Sequence, residues 1–320
     1  MTGDAGGPRP TGAEESADAA STTGRPSAMT GRPPAPRTAG EMLAMARAFL
    51  ERKGAPEGRL EAELLVAHSL GLDRLGLFMQ LDRPVGGAEI DAARDLLVRR
   101  GRREPVAYIT GKREFYGRDF RVGRGVLIPR PETEQLVDIA RERAGALAEG
   151  RSYHVLDVGT GTGCIAVTIA LELPDACVTA VDISEKAIAY TEANAELHEV
   201  DVSVLRGDGI GVASGAAPFD LVVSNPPYVD PADAPGLAPE VREYEPEQAL
   251  FAPEGDVDYW VRRLLADAAG VLVPGGLLLV ELGAGQGARA LALAREAGFE
   301  ARLHEDLAGI ERVLEARRAD

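Results

Sequence analysis

The run VLDVGTGTGCIAVTIA, residues 155–170, reads as a strand, a glycine turn and a helix in immediate succession. Gly159, Gly161 and Gly163 let the backbone turn sharply and approach a ligand with no Cβ in the way. The next strand, CVTAVDI, ends on Asp182, 19 residues past Gly163. Nucleotide-type α/β sites put a carboxylate there to meet ribose hydroxyls. A glycine triplet alone is weak; strand, helix and strand-end acid in register point to a site. RGDGI, after the third strand, sets a second acid, Asp208, at a strand end.

Outward from this run, strands and helices alternate from Tyr153 onward. The expected strands are HVLDVG, CVTAVDI, VSVLRGD, FDLVVSN and GGLLLVELG, with ARLHEDLAG and ERVLEARR near the end. CIAVTIALEL and EKAIAYTEANAELH are helices between them. The alternation predicts an α/β fold, a Rossmann-like, mostly parallel sheet with crossover helices. One strand ends unusually: FDLVVSNPPYVD, residues 219–230, sets Asn225-Pro226-Pro227-Tyr228 directly after an apolar run. Two prolines cannot continue a ladder, because they lack the N–H and fix φ. The strand therefore stops at Ser224. Residues 225–228 form a stiff segment at its C-terminal end, where open α/β sheets bind ligands.

The 320-residue chain has room for two domains and is globular in composition, 45% hydrophobic and 27% charged. No apolar run reaches the length of a membrane span, and the first residues lack a secretion-signal pattern. Cys164 and Cys177 sit among apolar neighbours without CxxC spacing, so both are expected as core side chains of a reducing, cytoplasmic protein. His68, His154, His198 and His304 show no ligand spacing, and no metal is expected. Residues 39–130 hold 17 Lys and Arg against 13 Asp and Glu, whereas residues 131–320 hold 14 against 34. The acidic half is a poor grip for nucleic acid, which is held by neutralising phosphates.

Residues 1–38, almost without large apolar side chains, are expected to be a disordered tail. TAGEMLAMARAFLERKG then opens a helical bundle over residues 39–105, with capping-box spacing between Thr38 and Glu41. VAYITGKREFYGRDFRVGRGVLIPR alternates aromatic or β-branched with polar residues, predicting a β-hairpin linker over 106–129. Residues 130–320 form the α/β domain, entered through a helix that starts at Pro131.

Gly161, Gly163 and Ala166 fit the dinucleotide spacing GxGxxA, which keeps NAD(P) open. The triplet GxGxG with Asp157 before it instead resembles the S-adenosylmethionine (SAM) loop of Rossmann-like methyltransferases. That resemblance implies that Gly159, Thr160, Gly161, Thr162, Gly163, Asp182 and Asp208 hold SAM, with Asp208 beside the adenine and Asn225 also against the cofactor. A methyl acceptor of the planar –NH2 type is a poor nucleophile. Two acceptors on its two hydrogens, the Asn225 side-chain carbonyl and the Pro226 main-chain carbonyl, would aim it and stabilise developing positive charge. Pro226-Pro227 would stiffen the pair and Tyr228 would pack on the flat face. Glutamine or asparagine amides, adenine N6 and cytosine N4 all satisfy this logic.

YITGKREFYGRDFRVGRGVLIPRPETEQLVD, LDVGTGTGCIAVTIA, VDIS, SNPPYV, EPEQALFAPEGD, PGGLLLVELGAGQ and EDLAGIERV together resemble the HemK/PrmC family of peptide chain release factor glutamine-N5 methyltransferases, over about residues 40–316. The resemblance implies a helical substrate-docking domain, a hairpin linker and a SAM-binding catalytic domain. The implied reaction methylates the glutamine of the Gly-Gly-Gln motif of class I release factors, with no metal, no direct nucleic acid and a monomeric enzyme. Asn225, Pro226, Pro227 and Tyr228 would hold the glutamine amide, with Asn225 and Pro226 catalytic. The chain departs from the family where a large side chain commonly follows the acid beside the adenine: here Gly209 follows Asp208, and Ile210 is expected to substitute. It departs again at Asp256-Val257, where Gly-Leu is commoner.

Other polar residues have bland readings. Arg130, Glu132 and Glu134 suit helix capping as well as the lining of a cofactor site, and Glu245 and Glu247 suit holding the loop after NPPY ahead of contacting substrate. Trp260 reads as helix-face core, and Asp306, Gly309 and Arg312 as closing the last strand pair. Glu281 and Gln286 stand at a strand end and in the loop after it, where loop structure and a site are equally suited. Three rivals remain: an adenine-N6 DNA methyltransferase, an NAD(P)-dependent oxidoreductase and a non-catalytic partner protein. The DNA enzyme shares the motif order but needs a DNA-gripping surface, and no DNA-reading domain is evident after NPPY.

Overall fold

Residues 35–148, 151–213, 215, 218–253 and 256–319 are described by a computed structural model. Residues 1–34 of the expected tail lie outside them. Five helices come first: α1 (Ala39–Arg52), α2 (Gly58–Ser69), α3 (Arg74–Met79), α4 (Gly87–Gly101) and α5 (Val106–Thr110). Thr38 caps α1, its hydroxyl accepting from the Glu41 N–H at 3.2 Å. Met42, Leu43, Ala46 and Leu50 face Leu65, Val66, Leu77 and Ala93, the apolar stripes packing as the core of the bundle.

The hairpin is narrower than expected. Strands β1 (Lys112–Phe115) and β2 (Arg118–Arg121) pair antiparallel, but Val106–Thr110, the start of the expected linker, is α5. Its composition favours a strand; packing overrides it. Ile109 joins the bundle core and Tyr108 donates to the Val126 carbonyl at 2.5 Å. Gly111, at φ +74, ends the helix in the left-handed region.

The rest alternates: α6 (Glu134–Ala148), β3 (Tyr153–Val158), α7 (Cys164–Glu172), β4 (Ala176–Asp182), α8 (Glu185–Leu197), β5 (Ser203–Arg206), β6 (Phe219–Ser224), α9 (Pro239–Tyr244), α10 (Glu247–Leu250), α11 (Tyr259–Val271), β7 (Leu272–Glu281), α12 (Gly287–Glu296), β8 (Phe299–Glu305) and β9 (Glu311–Arg318). Short 3-10 turns stand at Pro131–Thr133, Ile210–Ala213 and Pro231–Gly236. Among the described residues the sheet has seven strands, ordered β5-β4-β3-β6-β7-β9-β8. The first five are parallel; β9 runs antiparallel to β7 and to β8. Side-chain alternation on β7 sends Leu277 and Leu279 to one face and Leu278 and Val280 to the other, so helices cover both faces. The chain leaves β3 toward β4 and later returns to pair β6 on the other side. The strand C-termini at β3 and β6 therefore flank a topological switch point.

Cys164 is buried, as expected, but Cys177 is exposed. It lies at the start of β4, before β5 begins to pair at Thr179, where the sheet is uncovered. Residues 39–105 hold 11 Lys and Arg against 11 Asp and Glu, so the basic excess of residues 39–130 lies beyond the bundle, and the bundle's own charges pair extensively. Buried Glu63 draws in Arg47 and Arg74 at 2.6 and 2.7 Å, and Arg59 at 3.4 Å. Buried Arg100 bridges Glu61 at 2.8 Å and Glu240 of α9 at 2.6 Å, with Arg103 also on Glu240 at 2.8 Å. This clamp joins the helical bundle to the α/β part, and breaking such a buried pair leaves a charge without its counter-ion.

Candidate active site

A cleft opens at the strand C-termini. Gly159 and Gly161 line it from the turn after β3, Asp182 and Ile183 from β4, Asp208 and Gly209 from the loop after β5, and Asn225, Pro226 and Pro227 from the end of β6. Gly125, Val126 and Leu127 close it from the linker, Gln248 and Ala249 from α10, and Trp260 and Leu264 from α11.

The glycine turn is built for open approach. Gly159 and Gly161 have φ of +76 and +59, and added Cβ atoms would project into space nearly free of protein atoms. That leaves bare backbone facing the cleft. Gly163 serves packing instead. At φ +78, its Cβ would meet Thr191 at 2.9 Å, so it seats α8 against the turn. Thr160 and Thr162 are buried behind the turn. The Thr160 hydroxyl donates to Asp157 at 2.7 Å, and the Thr162 carbonyl accepts from the Asn194 amide at 2.8 Å. Asp182 accepts from the N–H of Gly161 at 3.0 Å and of Ser184 at 2.8 Å, tying the glycine turn to the end of β4. Asp208 pairs with Arg263 at 3.0 Å.

Asn225 leaves β6 with its side chain already committed on one side. Its Nδ2 donates to the Thr133 hydroxyl at 3.1 Å. Thr133, itself buried, donates that hydroxyl's hydrogen to Glu281 at 2.6 Å. The direction of this relay leaves Asn225 Oδ1 as the acceptor on the other side of its amide. Tyr228 donates to the second Glu281 oxygen at 3.4 Å, and its ring lies so close to Gly283 that a Cβ there would meet it at 2.9 Å. Val229 then bridges Phe251: the Val229 N–H donates to the Leu250 carbonyl at 3.0 Å, and the Val229 carbonyl accepts from Ala252 at 2.9 Å. The prolines thus run between two anchored ends.

Thr133 was not singled out from the sequence, although IPRPETE contains it; a hydroxyl between two other candidates in space leaves no spacing signal. Glu281 is buried and bonded to Thr133 and Tyr228. Ile210 is not among the residues that line the cleft: it is buried against the α11 side of the sheet, turned from the cleft by the 3-10 turn it begins. Trp260, expected as core, lines the cleft instead. Arg130 binds Glu245 at 2.5 Å, and Glu245 also accepts from the Ile128 N–H at 3.0 Å, a lock between the linker and the end of α9. Glu134 accepts from the Tyr116 N–H at 2.8 Å, and Gln286 from the Gly283 N–H at 2.6 Å. Asp306 accepts from Ala308 and Ile310 and pairs with Arg312, closing the β8–β9 turn.

Burial pushes the Glu281 carboxyl up to about 7, opposed by the Thr133 and Tyr228 hydroxyls. Burial likewise pushes Asp157 up to about 7, opposed by Thr160. Their ordinary values are 4.5 and 3.8. A carboxyl whose folded pKa lies above its unfolded one contributes stability fully at low pH and loses it as pH rises through the folded value. These two groups should therefore lower the melting temperature progressively as pH rises from about 4 to 7. Glu281→Gln should flatten that slope in thermal melts across the window; an unchanged slope would contradict the burial of its charge.

Among the described residues no group of three or more His, Cys, Asp and Glu could hold a metal ion, and no helix is long and apolar enough to cross a membrane. Residues 41–111 match the family described as PrmC N-terminal domain, and residues 140–239 match the methyltransferase small domain. The chain is 44% identical over 278 residues to a release factor glutamine methyltransferase of Geobacter sulfurreducens, across 87% of this chain and 95% of that protein. It is 40% identical over 279 residues to one of Deinococcus radiodurans, across 87% and 98% of the two. A solved protein-(glutamine-N5) methyltransferase (release factor-specific) from Alicyclobacillus acidocaldarius is 34% identical, covering 63% of this chain and 100% of that one, with a TM-score of 0.39. Identity of this order, sustained over nearly the full length of both curated relatives, means that the chain belongs to the release factor glutamine methyltransferase family.

Proposed function

We propose that the chain transfers a methyl group from SAM to the side-chain amide nitrogen, N5, of the glutamine in the Gly-Gly-Gln motif of class I release factors, releasing S-adenosylhomocysteine. The observation that carries this reading is the Glu281–Thr133–Asn225 relay, which commits one side of the Asn225 amide and leaves its carbonyl for a substrate N–H. The cleft fits SAM: bare glycine backbone at Gly159 and Gly161 accommodates a close ligand, and Asp182 and Asp208 offer acceptors to hydroxyl and amine groups. When bound, SAM supplies a methyl group on a sulfonium sulfur.

The protein's own part is positioning. Asn225 Oδ1 and the Pro226 carbonyl accept the two N5 hydrogens of the glutamine and turn the nitrogen toward the donor. Both acceptors gain as positive charge develops on that nitrogen, so they bind the transition state more tightly than the ground state. Pro226 and Pro227 restrict φ and keep the carbonyls from collapsing toward each other. The Tyr228 ring, seated on Gly283, gives the amide a flat wall. No general base is needed before transfer; the proton leaves N5 afterwards to water. The chemistry suits a cytoplasmic protein, and a monomer suffices because every group named lies on one chain.

Incubation with labelled SAM, a release factor and duplex DNA in one tube tests the substrate class. Label should go to the factor; label on DNA would transfer the reading to adenine N6. The helical bundle is the proposed docking surface. Beside it runs a groove lined by Leu60, Leu64 and Val106 together with Arg74 and Arg113. Leu64, 36% exposed, belongs to this face. Leu64→Asp should raise the KM for release factor roughly ten-fold, about 1.4 kcal/mol and so more than most interface residues cost on truncation, with S-adenosylhomocysteine binding unchanged. An unchanged KM would remove the bundle from docking.

A further inference from the structure

The edge of the cleft after β5 is short of side chain. Gly209 has φ +73, and the place its Cβ would take is met at 3.1 Å by Arg263 of α11. Arg263 pairs with the Asp208 carboxylate at 3.0 Å and donates to the Asp208 main-chain carbonyl at 3.2 Å, so α11 is tied to this edge. Trp260, three residues earlier on the same helix, lies under that guanidinium, with Arg263 Cζ 5.3 Å from its ring centroid. Tyr259 meets the indole edge-on at 5.1 Å. The indole Nε1 is buried without a hydrogen-bond partner among the described residues, and ring packing and the cation hold this side chain in place. Trp260 lines the cleft with Leu264, Asp208, Gly209 and Ile183, the last 58% exposed although large and apolar. An aromatic ring and two aliphatic side chains next to a carboxylate suit a flat heteroaromatic base with an exocyclic amine.

We propose that Trp260 is the aromatic wall of the adenine subsite, supplying from α11 the face that Gly209 cannot. The proposal rests on the SAM reading of the cleft. Trp260 is the sole tryptophan of the chain, so its emission reports on this position alone. In the full chain, titration with S-adenosylhomocysteine should change that emission saturably, with the midpoint found by calorimetry. Trp260→Ala should weaken both S-adenosylhomocysteine and adenosine by roughly ten-fold or more, as for loss of one stacked base. Trp260→Phe should weaken them much less. If the alanine variant fails to fold by circular dichroism, the wild-type emission and the phenylalanine variant decide. Calorimetric binding with unchanged emission, or a folded Trp260→Ala that binds as the wild type does, overturns the assignment and leaves the SAM reading standing. No binding of S-adenosylhomocysteine to the wild-type chain overturns both.

Discussion

Asn225→Ala will lower kcat for methyl transfer by about 10²–10³-fold, the cost of removing one preorganised hydrogen-bonding group from a transition state. Calorimetric binding of S-adenosylhomocysteine should fall far less. The asymmetry follows from the placement of the residue. On the proposed reading its carbonyl would meet a substrate N–H whose hydrogen-bonding strength grows as the nitrogen becomes positive, whereas the cleft proposed for SAM has the glycine turn, Asp182 and Asp208 besides. Alanine also leaves the Thr133 hydroxyl without the donor it accepts from at 3.1 Å. Single-turnover kinetics separate the effects: the chemical step slows while cofactor occupancy persists. Parallel losses in both would make Asn225 a cofactor residue and undo its role on the acceptor.

Thr133→Val is the sharper test of how Asn225 is aimed. Valine keeps the shape and removes the hydroxyl that joins Asn225 to Glu281, both of which lose a partner. Two consequences follow. Stability should fall by about 1–3 kcal/mol, the penalty for stranding buried polar groups. The rate constant kcat should fall by roughly 10- to 100-fold, because the freed amide can rotate and present its NH2 to the substrate. Thr133→Ser, which retains the hydroxyl, should recover most of the rate. The KM for SAM should stay near the wild-type value in both variants. A valine variant that loses stability but keeps kcat would make the relay a packing device only.

The fold was legible because its signals are local. The glycine turn, the strand-end acid Asp182 and the alternation of strands with helices all lie within short windows, and each agrees with its neighbours. The failures come from packing between distant segments. Val106–Thr110 has the composition of a strand, yet Ile109 is drawn into the bundle core and Tyr108 reaches Val126. Cys177 has apolar neighbours in sequence but precedes the stretch of β4 that β5 covers. In the site, NPPY announced itself through the physics of two prolines after a strand. The relay did not, since Thr133, Asn225 and Glu281 come from three separated segments that meet only at the sheet's C-terminal edge. Trp260 and Ile210 exchanged their expected surroundings for a related reason: a helical turn after Gly209 buries one, and α11 carries the other to the cleft.

The most direct test of the central claim is to locate the methyl group. Release factor incubated with SAM and the intact chain would be digested, and the peptide carrying the Gly-Gly-Gln motif sequenced by tandem mass spectrometry. One methyl group on the glutamine side chain, absent with Asn225→Ala, is the predicted result. A methyl group on any other residue, or on a factor whose motif glutamine has been replaced, would contradict the account.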